Sequence, residues 1–138
     1  MADIDFYHLT DVGCVRDGNE DAIGCWPHPE GIVFAVADGL GGHAAGELAS
    51  TLALDVFEHE LSQAPASWAL SKRLRRAVQE ANLQIHQKSI TVPELRGMGT
   101  TLTATAINGA TLATAHVGDC RLYLLRAERE RPTRRGIK

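Results

Sequence analysis

Asp38-Gly39-Leu40-Gly41-Gly42-His43 stands where an uninterrupted apolar run, Ile32 to Ala37, gives way to residues spaced like a helix. A carboxylate at that junction leaves a rigid element for glycine-rich backbone, so its position is fixed while the main chain beside it stays open to a ligand. Fixed carboxylates suit hard cations, because magnesium and manganese favour carboxylate, carbonyl and water oxygens. An Asp-Gly pair at a strand end is also an everyday turn or cap, so this segment alone leaves both readings open. A second cluster, Arg16, Asn19, Glu20 and Asp21, falls in a polar loop just ahead of a strand. Arg16 carries a planar fork of donors that matches a phosphate, and Glu20 and Asp21 could hold a cation directly or through its water. A salt-bridged turn would use the same residues. The third cluster is Val117-Gly118-Asp119-Cys120-Arg121, a carboxylate at a tight turn between apolar stretches, which an ordinary hairpin end would also explain.

Other chemistries lack their residues. Cys120 is followed at once by Arg121, whereas a cysteine-centred phosphate loop needs several backbone amides between nucleophile and arginine. There is no phosphate loop ending in Lys-Ser or Lys-Thr, and Gly39, Gly41 and Gly42 do not have the spacing of a dinucleotide fingerprint. A nucleophile elbow is missing too. His8, His28, His59, His86 and His116 are scattered without the paired spacing of a zinc helix, and read as surface or core residues.

The elements that must position these residues follow from periodicity. Alternation in Ile4, Phe6 and His8 predicts an opening strand, ended by the polar stretch from Asp11 to Asp21. A second strand is expected near Ala22 to Trp26, and Pro27 to Gly31 form the turn after it. Ile32 to Ala37, apolar throughout and ending at Asp38, reads as a strand buried on both faces. From Ala44 the period changes, with Ala45, Leu48, Ala49, Leu52 and Val56 on one helical stripe. A second helix carries Leu70, Leu74, Ala77, Val78, Ala81 and Ile85, with Ser67 as its N-cap and Lys72, Arg73, Arg75 and Arg76 turned mostly to solvent. Beyond Pro93 and Gly97, the stretch from Gly99 to Leu125 is β-rich. It is broken by Asn108-Gly109, a strong hairpin signal, and by Gly118-Asp119 before Leu122, Tyr123 and Leu124. Strands, two helices, then strands imply helices layered on a mainly antiparallel sheet, an α/β (α+β) class.

The chain has 138 residues, 44% hydrophobic and 22% charged, which suits one globular domain. Its net charge is −3, but from Arg121 onward there are seven basic and two acidic residues, leaving −8 before that point. An acidic body is a poor nucleic-acid surface, and the basic end reads as a solvated tail. No apolar run reaches the roughly 20 residues of a membrane span, and the N-terminus lacks the basic start and apolar stretch of a signal peptide, so a cytoplasmic protein is expected. Cys14, Cys25 and Cys120 are an odd number without a close pair, which predicts reduced, partly buried thiols and neither a disulfide framework nor a structural zinc site.

Taken in order, four stretches resemble the PPM family of metal-dependent Ser/Thr protein phosphatases, the PP2C type, and especially its bacterial members. They are Gly13-Cys14-Val15-Arg16-Asp17-Gly18-Asn19-Glu20-Asp21, Val36-Ala37-Asp38-Gly39-Leu40-Gly41-Gly42-His43, Gly97-Met98-Gly99-Thr100-Thr101-Leu102 and His116-Val117-Gly118-Asp119-Cys120-Arg121-Leu122. The resemblance covers residues 1–125 as the N-terminal portion of such a domain, with 126–138 a basic, disordered tail. It implies an α-β-β-α sandwich and hydrolysis of phosphoserine and phosphothreonine at a pair of Mn2+ or Mg2+ ions. By resemblance, Asp38 would bridge the two ions and the Gly39 carbonyl would ligate one. Asp21, with Glu20, would support them partly through water, Arg16 would clamp the phosphate, Asp119 would contribute to a third ion, and His43 would donate a proton to the leaving group. Partners would be phosphorylated proteins, substrates of a Ser/Thr kinase.

The resemblance also marks what is missing. Family domains continue to two late aspartates, in a DG and a terminal DN motif, and neither follows Leu125 here. The expectation is therefore an incomplete sandwich with metal affinity well below that of a complete domain, and with sheet edges left to self-associate. A non-catalytic phosphopeptide-binding or regulatory module of the same fold, using Arg16 and the Gly39 to His43 segment, is the alternative function.

Overall fold

The computed structural model describes residues 3–28 and 31–127, without the side chain of His43. Two strands come first, β1 (Asp21–His28) and β2 (Gly31–Leu40), then two helices, α1 (His43–Gln63) and α2 (Leu70–Thr91). A short 3-10 turn at Pro93–Leu95 leads to β3 (Gly99–Thr100), β4 (Leu102–Asn108) and β5 (Thr111–Val117). The sheet runs β1-β2-β4-β5, with β3 paired to the end of β2, and every pairing is antiparallel. Both helices lie on one face, as strand-helix-strand order implied.

Small side chains on that face set the packing. Val33, Ala35 and Ala37 of β2 point to the helices beside Leu102, Ala104 and Ala106 of β4, all at most 4% exposed, with Ala22, Trp26, Ala113 and Ala115 flanking them. So many alanines let the helices approach closely, and Leu54, Phe57, Leu61, Leu74 and Ala77 fill the space. Phe57 is fully buried against the Trp26 ring, 6.1 Å between centroids. A second cluster, Ala45, Ala49, Ala53, Ile85 and Met98, packs at the other end of the helix pair.

Several expectations need correction. The run from Ile32 is buried on one face only: burial alternates along β2, and Val36 is 41% exposed. The far face, with Ile32, Phe34 and Val36, has no second layer of sheet among the described residues. The strand does not stop at Asp38 either; pairing with β3 carries it to Leu40, and the chain reverses at Gly41 and Gly42, with φ 138° and 71°. Ile4 to His8 is not a strand. Phe6 rests on Phe34, centroids 5.2 Å apart, but no ladder partner runs beside the segment among the described residues. Leu122 to Leu124 likewise form no strand. The hairpin loop is Gly109-Ala110, because Asn108 still pairs with Thr111.

The α2 N-cap is Ala69 without a side-chain bond, so Ser67 does not cap it. Arg73, expected outside, is 3% exposed, with Nη1 3.3 Å from His28 Nε2. On α1, Leu48 is 37% exposed while Ala53, Leu54 and Phe57 are buried, because the helix packs on both the sheet and α2. All three cysteines are free; Cys25 and Cys120 are half-buried, but Cys14 is exposed. Pro29, Glu30 and residues 128–138 of the basic tail lie outside the described residues.

Candidate metal centre

The antiparallel register brings the start of β1 against the end of β2 and sets Asp21 opposite Asp38. Both project from the face away from the helices, since the residues next to them, Ala22 and Ala37, point inward. Partial burial, then the Asp38 charge and a hydrogen bond shared with its carboxyl, push the Asp21 carboxyl above its ordinary value; Glu20 adds to this and Arg16 opposes it. Two like charges held this close favour a shared proton or a cation between them.

The loop ahead of β1 is fixed by its own polar groups. Asp21 N donates to Asn19 Oδ1 at 3.0 Å, and Asn19 Nδ2 donates to Thr10 Oγ1 at 2.8 Å. One residue back from Asp21, Glu20 turns to the helix side, where its carboxylate lies against Gly46 of α1. It pairs there with Arg16, Nη1 to Oε2 3.3 Å, the Glu side chain 15% exposed and the Arg 73%. A cleft of about 340 Å3 opens beside the pair, lined by Val15, Arg16, Asp17, Gly18, Glu20 and Gly42.

Gly39 explains why the motif needs its first glycine. Its amide donates to Glu20 O at 3.0 Å, and a Cβ there would stand 1.9 Å from Gly46 O of α1. The strand and the helix thus meet backbone to backbone beside Asp38. His43 is the first residue of α1. Asp119 is exposed and follows Gly118, whose φ of 103° turns the chain after β5.

Of the sequence-derived residues, the structure brings Asp21 and Asp38 together, with Gly39 next in the chain. It draws Arg16 to Glu20 rather than leaving either free. Among the described residues, no group of three or more His, Cys, Asp or Glu side chains is gathered closely enough to hold a metal ion. The donors present fit a hard divalent cation in kind, being carboxylate oxygens that repel one another, and fall short in number. Sequence reasoning gave no role to Gly46 or Thr101. Gly46 lies in a helix, where glycine costs about 1 kcal/mol relative to alanine; that conflict was a readable sign of close packing.

The Protein phosphatase 2C family profile matches residues 15–131. The chain is 43% identical over 117 residues to "Serine/threonine protein phosphatase PstP" of Mycobacterium tuberculosis, covering 85% of this chain and 22% of that protein. Among solved structures, the PstP catalytic domain in complex with two manganese ions superposes with a TM-score of 0.65 and 41% identity, over 78% of this chain and 44% of that one. Staphylococcus aureus Stp1 gives a TM-score of 0.73 at 31% identity, over 80% and 45%. The chain therefore spans about a fifth of PstP's full length and under half of either solved structure. With the family profile running from the Arg16 loop through both helices and all five strands, this chain belongs to the protein phosphatase 2C family.

Proposed function

We propose that this chain supplies the Asp21–Asp38 half of a metal-dependent site that hydrolyses phosphoserine and phosphothreonine on proteins. The observation that carries the reading is the pair itself: two carboxylates opposed across β1 and β2 in a family whose relative PstP has been solved with two manganese ions. Asp38 and Asp21 would hold Mn2+ or Mg2+ with the Gly39 carbonyl, Glu20 would support Asp21, and Asp119 would serve a further ion. When bound, the metal supplies charge neutralisation and activates water for attack on phosphorus. The protein's own groups do the rest. Arg16, at the rim of the cleft, would swing from Glu20 to grip the phosphate, and His43, at the start of α1, would protonate the departing oxygen. The substrates would be phosphoproteins made by a Ser/Thr kinase, in the cytoplasm. Residues 1–125 would form the folded part of this half.

The shortage of ligands favours a second reading, a phosphopeptide-binding module without turnover. Calorimetry with Mn2+ and a phosphothreonine peptide separates them. The enzyme reading expects Mn2+ heat that Asp38→Asn abolishes, and peptide binding lost on chelation. Peptide binding that survives chelation, with no Asp38-dependent Mn2+ heat, would establish the module instead.

A further inference from the structure

Thr101 sits between β3 and β4, yet both flanking ladders keep one register along β2: Thr100 stands opposite Gly39 and Thr103 opposite Val36, so Thr101 falls opposite Asp38. At this position the ladder is rewired. Thr101 N donates to Asp38 O at 3.0 Å as a regular strand would. The return bond does not go to the Thr101 carbonyl; Asp38 N donates to Thr101 Oγ1 at 2.9 Å. The Thr101 carbonyl instead accepts from Thr100 Oγ1 at 2.9 Å.

The same hydroxyl reaches the third cluster. Thr101 Oγ1 lies 3.1 Å from Cys120 Sγ, the residue after Asp119. The β4–β5 register puts Gly118 next to Thr101, and a Cβ on Gly118 would come within 2.6 Å of Thr101 Cγ2. One side chain therefore holds the backbone of Asp38 and seats the turn that carries Asp119. These two acids are 81 positions apart in sequence, and the bonds through Thr101 bring their backbones into one connected unit.

We infer that Thr101 is the positioning residue of this centre: its hydroxyl fixes the Asp38 backbone and docks the Gly118–Cys120 turn against it. The inference rests on the reading of Asp38 as a metal ligand, and its hydrogen bond can be tested apart from that reading. In the chain without metal, Thr101→Val should speed hydrogen exchange of the Asp38 amide at least ten-fold, leave core amides such as Ala104 unchanged, and be reversed by Thr101→Ser. In Mn2+ calorimetry, Thr101→Val should weaken binding by up to roughly ten-fold, the upper end of what one hydrogen bond contributes net, while Thr101→Ser stays within about three-fold. Unchanged Asp38 exchange in Thr101→Val overturns the inference whatever the metal does. Wild-type Mn2+ affinity in Thr101→Val, with loss in Asp38→Asn, overturns it as well. Equal Mn2+ binding by wild type and Asp38→Asn defeats the metal-ligand reading and shows up separately from the exchange result. If Thr101→Val does not fold, Thr101→Ser decides: retained affinity and exchange support the hydroxyl's role, and loss of both overturns it.

Discussion

Asp21 and Asp38 make the candidate centre a weak point in the fold before any metal is added. Because the folded protein holds the Asp21 proton more tightly than its ordinary value of 3.8, this group's stabilising contribution is fully present below pH ~4 and is lost as pH rises through the raised folded value. Asp21→Asn removes that loss. Its melting temperature should exceed wild type's at pH 7, and the gap should close as pH falls toward 4. The gain should be under about 1 kcal/mol, since solvent screens a pair this exposed. Thermal melts of both proteins across pH 4–7 check it, and a gap that widens on acidification would contradict the like-charge account. Saturating Mn2+ should act in the same direction on wild type. At a hundred times its dissociation constant, a bound ion stabilises by about 2.7 kcal/mol, which Asp38→Asn should forfeit. The carboxylates were legible because Asp38 closes an apolar run at a glycine-rich junction and Asp21 stands where a polar loop enters a strand. Thr101 was not: its role depends on a hydroxyl meeting a main-chain amide 63 residues away, and its sequence looks like any β-rich threonine.

Between β2 and α1, two glycines carry the contact that sets Asp38's height above the helices, and they should respond differently to the same methyl group. On Gly39 a Cβ meets the backbone carbonyl of Gly46 at 1.9 Å, so the strand or the helix must move. Gly39→Ala should cost about 1–3 kcal/mol and lower the melting temperature by roughly 4–12 °C for a domain of this size. On Gly46 the three atoms nearest the Cβ all belong to the Glu20 side chain, the carboxylate at 2.8 Å, the far end of a flexible group. Gly46→Ala should fold with a melting temperature at or above wild type's, because alanine gains about 1 kcal/mol of helix propensity, while it displaces Glu20 from Arg16. Gly18→Ala, with open space around it, is the control and should change nothing measurable. Periodicity disclosed both helices, and Asn108-Gly109 the hairpin, because each is a local pattern, although neither helix has a side-chain cap to mark its start. Ile4 to His8 shows the opposite case. Its alternation is real and Phe6 does find Phe34, but a strand exists only when another strand lies alongside, and no property of the segment itself tells whether one will.

At the scale of the whole molecule, one side of the sheet is sealed by helices and the other is not. Val36 and Leu112 are 41% and 46% exposed on or beside that open face. Among the described residues, β1 and β5 each pair on one side only. Unpaired strand edges invite pairing with another chain. No helix of the described residues is long and apolar enough to cross a membrane. Self-association in water should follow. Sedimentation velocity across a hundred-fold range of concentration should show a rising mean mass. Replacing Val36 with threonine and Leu112 with lysine should shift that rise to higher concentration, since the first removes apolar contact and the second adds a charge beside the β5 edge. Both substitutions leave the helix-facing core untouched, so the melting temperature at low concentration should stay within about 2 °C of wild type's, a change of well under 1 kcal/mol. A chain that remains monomeric throughout, with or without the substitutions, would mean that the N-terminal segment anchored by Phe6 on Phe34 already covers enough of the face to satisfy it.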